Sequence, residues 1–182
     1  VHVAVVERDP RATDLAYEHF AVGTDPAAAR FSVVHGAGRH FLETTDGAWD
    51  LIYIDAFDHL VTVPWTLVTE EAFAAATSRL RPGGTVAANV LAPLAGRGDA
   101  FMARLLATAQ ASFPEVRAWR VTPDQPEEIV QNVLLVMAPV EASLPTSGWT
   151  TVTLEPEGPS LVDAWAPIES LQARVFLGGL NW

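Results

Sequence analysis

The segment Asp50-Leu-Ile-Tyr-Ile-Asp-Ala-Phe-Asp58 decides the fold, because a short apolar run ends there at two carboxylates. Residues 50–54 contain strand-forming side chains, and a continuous apolar run of this length is typical of a strand buried on both faces of a parallel sheet. Ligands of open parallel sheets bind beyond the carboxyl ends of the strands. Asp55 and Asp58 follow the run at that position, so the segment predicts a strand and a candidate site at its end.

Strands and helices alternate along the rest of the chain. Alternation of this kind predicts an α/β fold, a doubly wound, mostly parallel sheet with helices on both faces. We expect a single domain over residues 1–182. The predicted strands are 1–6, 31–35, 50–54, 85–90, 116–121 and 132–137, and the predicted helices are 10–20, 39–44, 69–80, 99–113 and 168–176. The sequence Arg81-Pro-Gly-Gly84 is expected to stop the helix before the strand at 85–90.

The composition argues against several classes of protein. The chain has 22 acidic and 11 basic residues, a formal net charge of −11, which disfavours binding to nucleic acids or anionic membranes because both are polyanions. It has no cysteine, and its five histidines lack metal-ligand spacing, so we expect no metal cofactor. No apolar run reaches the roughly 18 residues needed to cross a bilayer, and we expect a cytoplasmic protein.

Two further strand ends carry residues that could contact a nucleoside. Glu7 follows the first predicted strand, where a carboxylate can accept hydrogen bonds from both ribose hydroxyls. The alternative is that Glu7 and Asp9 cap the following helix. Gly36, Ala37 and Gly38 follow the second strand, where small residues let a flat ring approach the backbone, although glycine there is also an ordinary turn signal.

Asp55 and Asp58 are the best candidates for chemistry. A carboxylate at a strand end can form an ion pair with an amine, and it can also remove a proton so that the nitrogen becomes nucleophilic. The alternative is a pair of turn or helix-capping aspartates. Tyr53, His59 and Trp65 lie close to them in the sequence and could line a substrate pocket, although an isolated His or Trp is more often structural.

A series of segments resembles the spermidine synthase-like branch of the class I methyltransferase fold. In chain order they are VVERDP, VVHGAGRHFL, WDLIYIDAFD, VPWTLVTEEAF and LRPGGTVAANV, followed near the end by SLVDAWAPIESL. Their order and spacing match the family over most of the chain. The resemblance implies a site for S-adenosylmethionine, its decarboxylated form or methylthioadenosine. It also implies a homodimer that transfers an aminopropyl group to putrescine or a related small-molecule amine.

The resemblance also implies roles for individual residues. Glu7 would hold the ribose hydroxyls, Asp55 would bind and deprotonate the attacking amine, and Asp58 would assist at the nitrogen of the polyamine. We expect these three side chains to open into one cleft at the rim of the sheet. Two alternatives stay open: a methyltransferase of the same fold, and a non-catalytic module that binds a nucleoside or mediates dimerisation.

Departures from the family pattern bear on this interpretation. Ala37 stands where the family usually carries an Asp that meets the adenine amino group. Ala56 and Phe57 replace two serines between Asp55 and Asp58, and Asn89 stands where the synthases tend to carry Gln. The family's first strand and Gly-rich loop would precede residue 1, so we expect the chain to be an N-terminally incomplete part of a longer protein.

Overall fold

The computed structural model describes residues 1–20, 30–58, 62–139 and 148–177. The chain divides into two compact units, Val1–Asp46 and Gly47–Trp182, and each has its own sheet. The single domain expected over residues 1–182 stays a prediction. His59, one of the candidate substrate-binding residues, lies outside the described residues.

The first unit consists of two parallel strands and two helices. Strand β1 (Val3–Glu7) pairs with β2 (Phe31–His35), and Glu7 lies opposite His35 at the end of the ladder. Helix α1 (Pro10–His19) begins as predicted, because the Asp9 side chain accepts a hydrogen bond from Arg11 N–H and proline occupies the first turn. Helix α2 (Gly38–Thr44) contributes the buried Leu42.

The second unit is built on a five-stranded sheet with the order β3-β4-β6-β5-β7. Its strands and helices both contribute to the core, and Phe73 packs edge-to-face on Phe113. No helix in the described ranges is long and apolar enough to cross a membrane. The strands are β3 (Trp49–Ile54), β4 (Leu80–Ala92), β5 (Glu115–Arg120), β6 (Gln131–Ala138) and β7 (Thr150–Thr151). The helices are α3 (Glu70–Thr77), α4 (Ala100–Ser112) and α5 (Ile168–Leu177), with 3₁₀ turns at Trp65–Leu67 and Gly96–Gly98.

The α/β fold class is confirmed, and the sheet of the second unit is mixed. Strand β3 pairs parallel to β4, whereas β6 lies between β4 and β5 and is antiparallel to both. Strands β3, β4 and β5 therefore share one direction. The reversal of β6 has a simple cause, because no helix lies between Arg120 and Gln131 and a short connection returns the chain in the opposite direction.

The expectation that residues 50–54 are buried on both faces is wrong. Ile54 is buried, but Leu51 and Tyr53 are 54% and 53% exposed. Side chains alternate between the two faces of a strand, so residues 51 and 53 share one face. Within the described residues β3 pairs only with β4, and an edge strand covered on one face gives this pattern.

The sequence at 81–84 lies inside β4 and does not separate helix from strand as predicted. Helix α3 ends at Thr77 and β4 begins at Leu80, with a register shift against β3 between Trp49 and Leu51. A Cβ on Gly84 would lie 3.0 Å from the carbonyl oxygen of Trp49, so glycine allows β3 to approach closely. A strand irregularity of this kind accommodates Pro and Gly within a ladder.

The segment that precedes α5 is fastened to α3 and α4. Thr69 is fully buried and caps α3 by accepting from Ala72 N–H, while its hydroxyl donates to Asp163 Oδ1 at 2.7 Å. The backbone N–H of Leu161 donates to Thr108 Oγ1 at 2.9 Å, and the Leu161 carbonyl accepts from the first residue of α3. Residues 160–163 are therefore held at the start of α3.

Arg104 of α4 lies beneath the same segment. Its guanidinium is 4.7 Å from the ring centroid of Trp165, within cation–π range. Its Nε and Nη1 are buried and have no hydrogen-bond partner among the described residues. A Cβ added at Gly158 would lie 2.8 Å from Nη2, so the segment approaches Arg104 through a glycine.

Replacing Gly158 with Ala tests this contact, and Gly83→Ala is the matched control. Their φ values are +84° and +80°, so each variant carries the same left-handed backbone strain. The added Cβ meets nothing within 4 Å at position 83, whereas at position 158 it meets Arg104. We expect urea unfolding to show that Gly158→Ala loses more stability than the control, by about 1 kcal/mol or more. Equal losses would mean that Arg104 moves aside at no cost.

Candidate functional site

Asp55 and Asn89 are brought together by the parallel pairing of β3 with β4. The last register pair is Ile54 with Ala88, so the next residue of each chain segment lies at the carboxyl end of β3. Asn89 Nδ2 donates a hydrogen bond to Asp55 Oδ1 at 3.0 Å. An ionised carboxylate offers only acceptor oxygens, so this contact fixes which way the amide faces. Asp55 is thus exposed but oriented.

Tyr53 lies two residues before Asp55, and the charge of Asp55 affects the pKa of its phenol. Partial burial raises the pKa of the Tyr53 phenol, and the negative charge of Asp55 raises it further. Both causes favour the neutral phenol, which can donate a hydrogen bond. The structure therefore brings together two of the predicted residues, Tyr53 and Asp55.

The remaining candidates of this unit lie on the connection between β3 and α3. Asp58 N–H donates to the carbonyl of Thr62 at 2.7 Å, which forms an isolated antiparallel bridge across the undescribed residues 59–61. Trp65 begins a 3₁₀ turn and is exposed. The catalytic role of Asp58 and the substrate-binding role of Trp65 stay predictions.

In the first unit the four candidate nucleoside-contacting residues lie at the carboxyl ends of β1 and β2. Glu7 ends β1, and its carbonyl accepts from Gly36 N–H at 3.0 Å, directly after β2. Ala37 is the N-cap residue of α2 and Gly38 its first residue. A Cβ on Gly36 would meet nothing within 4 Å, so the fold itself does not require glycine there and the space beside it is open.

Glu7 and Asp9 both make contacts at the start of α1, as the alternative capping role predicts. Glu7 Oε1 accepts from Asp9 N–H at 2.8 Å, and Asp9 Oδ1 accepts from Arg11 N–H at 3.0 Å. Hydrogen bonds from the Arg11 side chain and backbone hold the pKa of Asp9 at about 2. Glu7 Oε2 has no hydrogen-bond partner in the described part of the chain. The ribose role of Glu7 stays a prediction that must coexist with the cap.

A small cavity in the same unit lies between α1 and the two-stranded sheet, and Glu7 also borders it. Its walls are mainly apolar, and they are formed by Val5, Glu7, Ala12, Thr13, Ala16, Tyr17, Phe31 and Val33. The cavity is the space between a helix and a sheet face, and we assign no ligand to it. Over the described ranges, no group of three His, Asp or Glu side chains is placed to hold a metal ion.

Glu7 and Asp55 belong to different compact units. The expectation that they open into one cleft stays a prediction.

Comparison with known proteins supports the resemblance seen in the sequence. No family model matches the chain. A probable polyamine aminopropyl transferase from Bifidobacterium longum is 29% identical over 99 residues, which cover 54% of this chain and 21% of that protein. The crystal structure of a probable spermidine synthase from Corynebacterium glutamicum has a TM-score of 0.63 and 26% identity, covering 80% of this chain and 50% of that one. The chain is therefore similar in sequence and in fold to these two proteins.

A third comparison concerns the fold. A crystal structure of spermidine synthase in complex with the transition state analogue AdoDATO has a TM-score of 0.63 at 16% identity, and the match covers 99% of this chain and 58% of that one. The chain spans about a fifth of the curated relative and half of the Corynebacterium protein. The predicted fold and family resemblance are confirmed.

The sequence pattern marks Asn89 as a departure from the family and does not predict it as a site residue. Its place beside Asp55 depends on strand register, which a single strand does not reveal. One feature of the sequence points to Asn89, because it is the polar residue in the otherwise apolar run Val86-Ala-Ala-Asn-Val90. It follows Ala88, which pairs with the last residue of β3 before Asp55. A polar residue within a buried run indicates a hydrogen-bond partner.

The coupling between Tyr53 and Asp55 can be measured by titration. The protein has two tyrosines, so Tyr17→Phe leaves Tyr53 as the only phenol in the ultraviolet titration. We expect its pKa to lie above 10.0 and to fall part of the way when Asp55→Asn is added, because burial is the larger cause. Asp50→Asn, which removes an exposed carboxylate of β3 bonded to Arg81, should leave the titration unchanged. An unaltered curve in Asp55→Asn would contradict the proximity of the two groups.

Proposed function

We propose that this spermidine synthase-like chain takes part in aminopropyl transfer from decarboxylated S-adenosylmethionine to putrescine or a related amine. The observation that carries the proposal is Asp55, an exposed carboxylate held by Asn89 at the carboxyl end of β3. It is supported by the resemblance of the chain segments and by the similarity to a probable polyamine aminopropyl transferase and a probable spermidine synthase. A small-molecule amine is the substrate that this chemistry requires.

The chemistry asked of Asp55 is the removal of one proton. An alkylamine reaches the site as an ammonium ion, which pairs with the carboxylate and transfers a proton to it. The freed nitrogen lone pair then forms a C–N bond to the aminopropyl methylene, and the C–S bond breaks with its electron pair moving to sulfur. The products are methylthioadenosine and a secondary ammonium ion, while the first proton leaves Asp55 to solvent. Positioning of the two reactants supplies most of the remaining acceleration.

In this proposal, residues of the first unit bind the nucleoside end of the donor. Glu7 Oε2 is the acceptor for ribose hydroxyls, since Oε1 already receives Asp9 N–H. A Cβ placed on Gly36 would meet nothing within 4 Å, which supports the approach of a flat ring to the backbone there. Ala37 has no carboxylate, so recognition of adenine falls to backbone groups. S-adenosylmethionine itself would occupy the same nucleoside contacts.

The other predicted residues complete the amine side of the same proposal. Tyr53, His59 and Trp65 would line the path of the amine, and Asp58 would pair with its second nitrogen. Assembly as a homodimer and a cytoplasmic location belong to the proposal through the family resemblance. The methyltransferase alternative has no observation in its favour beyond the shared fold.

Asp55→Asn tests the proposed reaction, with Asp50→Asn as the matched control on the same strand. Loss of a positioned proton acceptor typically lowers turnover by roughly 10²- to 10⁴-fold. We expect that loss in the assay of putrescine with decarboxylated S-adenosylmethionine for Asp55→Asn alone. Calorimetry with methylthioadenosine should show unchanged binding in both variants. Turnover that survives Asp55→Asn would remove the carboxylate from the mechanism.

Glu7→Gln separates the cap from the ribose contact. The Gln carbonyl can still accept Asp9 N–H, so we expect stability to be preserved. The second oxygen becomes an NH₂ donor and the charge is lost, which should weaken methylthioadenosine binding roughly 10- to 100-fold in calorimetry. The control is Asp14→Asn, an exposed carboxylate of α1. Equal affinity in Glu7→Gln and the parent protein would assign Glu7 to the helix cap alone.

A further inference from the structure

Asp55 and Asn89 together present two acceptor oxygens that receive no hydrogen bond within the described ranges. Asn89 Nδ2 donates a hydrogen bond to Asp55 Oδ1 at 3.0 Å. Neither Asn89 Oδ1 nor Asp55 Oδ2 has a hydrogen-bond partner among the described residues. Asp55 is exposed and Asn89 is half-buried. One of the two remaining oxygens is charged and the other is neutral, and they belong to side chains locked together by a hydrogen bond.

We propose that Asn89 binds the acceptor amine directly, through Oδ1, while its amide N–H holds Asp55. The inference rests on the proposed function, because it assigns the second hydrogen bond of the amine that Asp55 deprotonates. One N–H of the ammonium faces Asp55 Oδ2 and a second faces Asn89 Oδ1. A neutral amide oxygen accepts this second N–H without competing for the proton.

The need for a second acceptor follows from the geometry of deprotonation. When Asp55 takes a proton, the lone pair left on nitrogen points at the carboxyl group, away from the carbon that must be attacked. The nitrogen therefore has to turn before the C–N bond can form. An N–H held by Asn89 Oδ1 acts as a pivot, which keeps the nitrogen in place while the lone pair turns toward the methylene.

This role separates amines by the number of N–H groups they carry. A protonated primary amine has three, so it keeps two after the transfer to Asp55. A protonated tertiary amine has a single N–H, which Asp55 consumes, and nothing remains for Asn89. Replacement of Asn89 should therefore slow transfer to a primary amine and leave the rate of transfer to its N,N-dimethyl analogue unchanged. A residue that merely supports Asp55 would affect both amines alike.

The test compares Asn89→Leu with the parent protein on putrescine and on N,N-dimethylputrescine presented at its tertiary nitrogen. For putrescine we expect kcat to fall roughly 10- to 100-fold, the range for a hydrogen bond to a charged group. For transfer to the tertiary nitrogen, already slow, we expect no further loss. Asn89→Gln, which keeps both amide functions, should restore part of the putrescine rate. Asn132→Leu, an exposed asparagine of β6, is the control and should change neither rate.

A second measurement keeps this inference separate from the proposed function. The ¹H–¹⁵N resonance of the Asn89 side-chain amide is followed while butylamine or N,N-dimethylbutylamine is added to the full chain. We expect a shift with butylamine and a much smaller one with the dimethylated amine.

Turnover and the resonance shift together distinguish the amine contact of Asn89 from the transferase proposal. A shift without any turnover in the parent protein supports the amine contact and overturns the transferase proposal. Turnover that Asn89→Leu lowers equally for both amines overturns the contact and leaves the transferase proposal standing. If the parent protein shows no turnover and no shift of the Asn89 resonance, both proposals are overturned.

Discussion

The parallel pairing of β3 with β4 is the constraint on which the candidate site depends. It sets Ile54 opposite Ala88, and the next residue along each segment, Asp55 or Asn89, follows from that register. A slip by one residue would send Asn89 to the opposite face of its strand and leave Asp55 without its donor. Gly84 allows a close approach at the other end of the ladder, because a Cβ there would lie 3.0 Å from the carbonyl oxygen of Trp49.

In the first unit, the contact of Glu7 with Asp9 N–H leaves its second carboxylate oxygen for the proposed ribose contact. One carboxylate oxygen of Glu7 accepts a hydrogen bond from the backbone N–H of Asp9, and this contact orients the carboxylate at the start of α1. A side chain fixed in this way loses little conformational entropy when a ligand binds to its second oxygen. The cap and a ribose contact are therefore compatible, and the cap prepares the group for the contact.

Local signals in the sequence were sufficient for most elements and for the position of Asp55. Asp9-Pro10 marks the start of α1, and Thr69 followed by two glutamates marks the start of α3, because caps and helix dipoles act over a few residues. The exposure of Tyr53 was not predictable, since burial depends on which neighbours cover a strand. The reversal of β6 and the contact of Asn89 with Asp55 were also hidden, because both depend on pairing between distant parts of the chain.

The attachment of Asp163 to Thr69 has a consequence for the order in which the chain folds. These residues are 94 positions apart, and Leu161 and Thr108 are 53 apart. During synthesis the start of α3 leaves the ribosome long before its partner exists, so Thr69 can at first cap its helix without the aspartate. Contacts of such long range are completed late and slow the search for the native state. The second unit can reach its final form only after most of its chain has been translated.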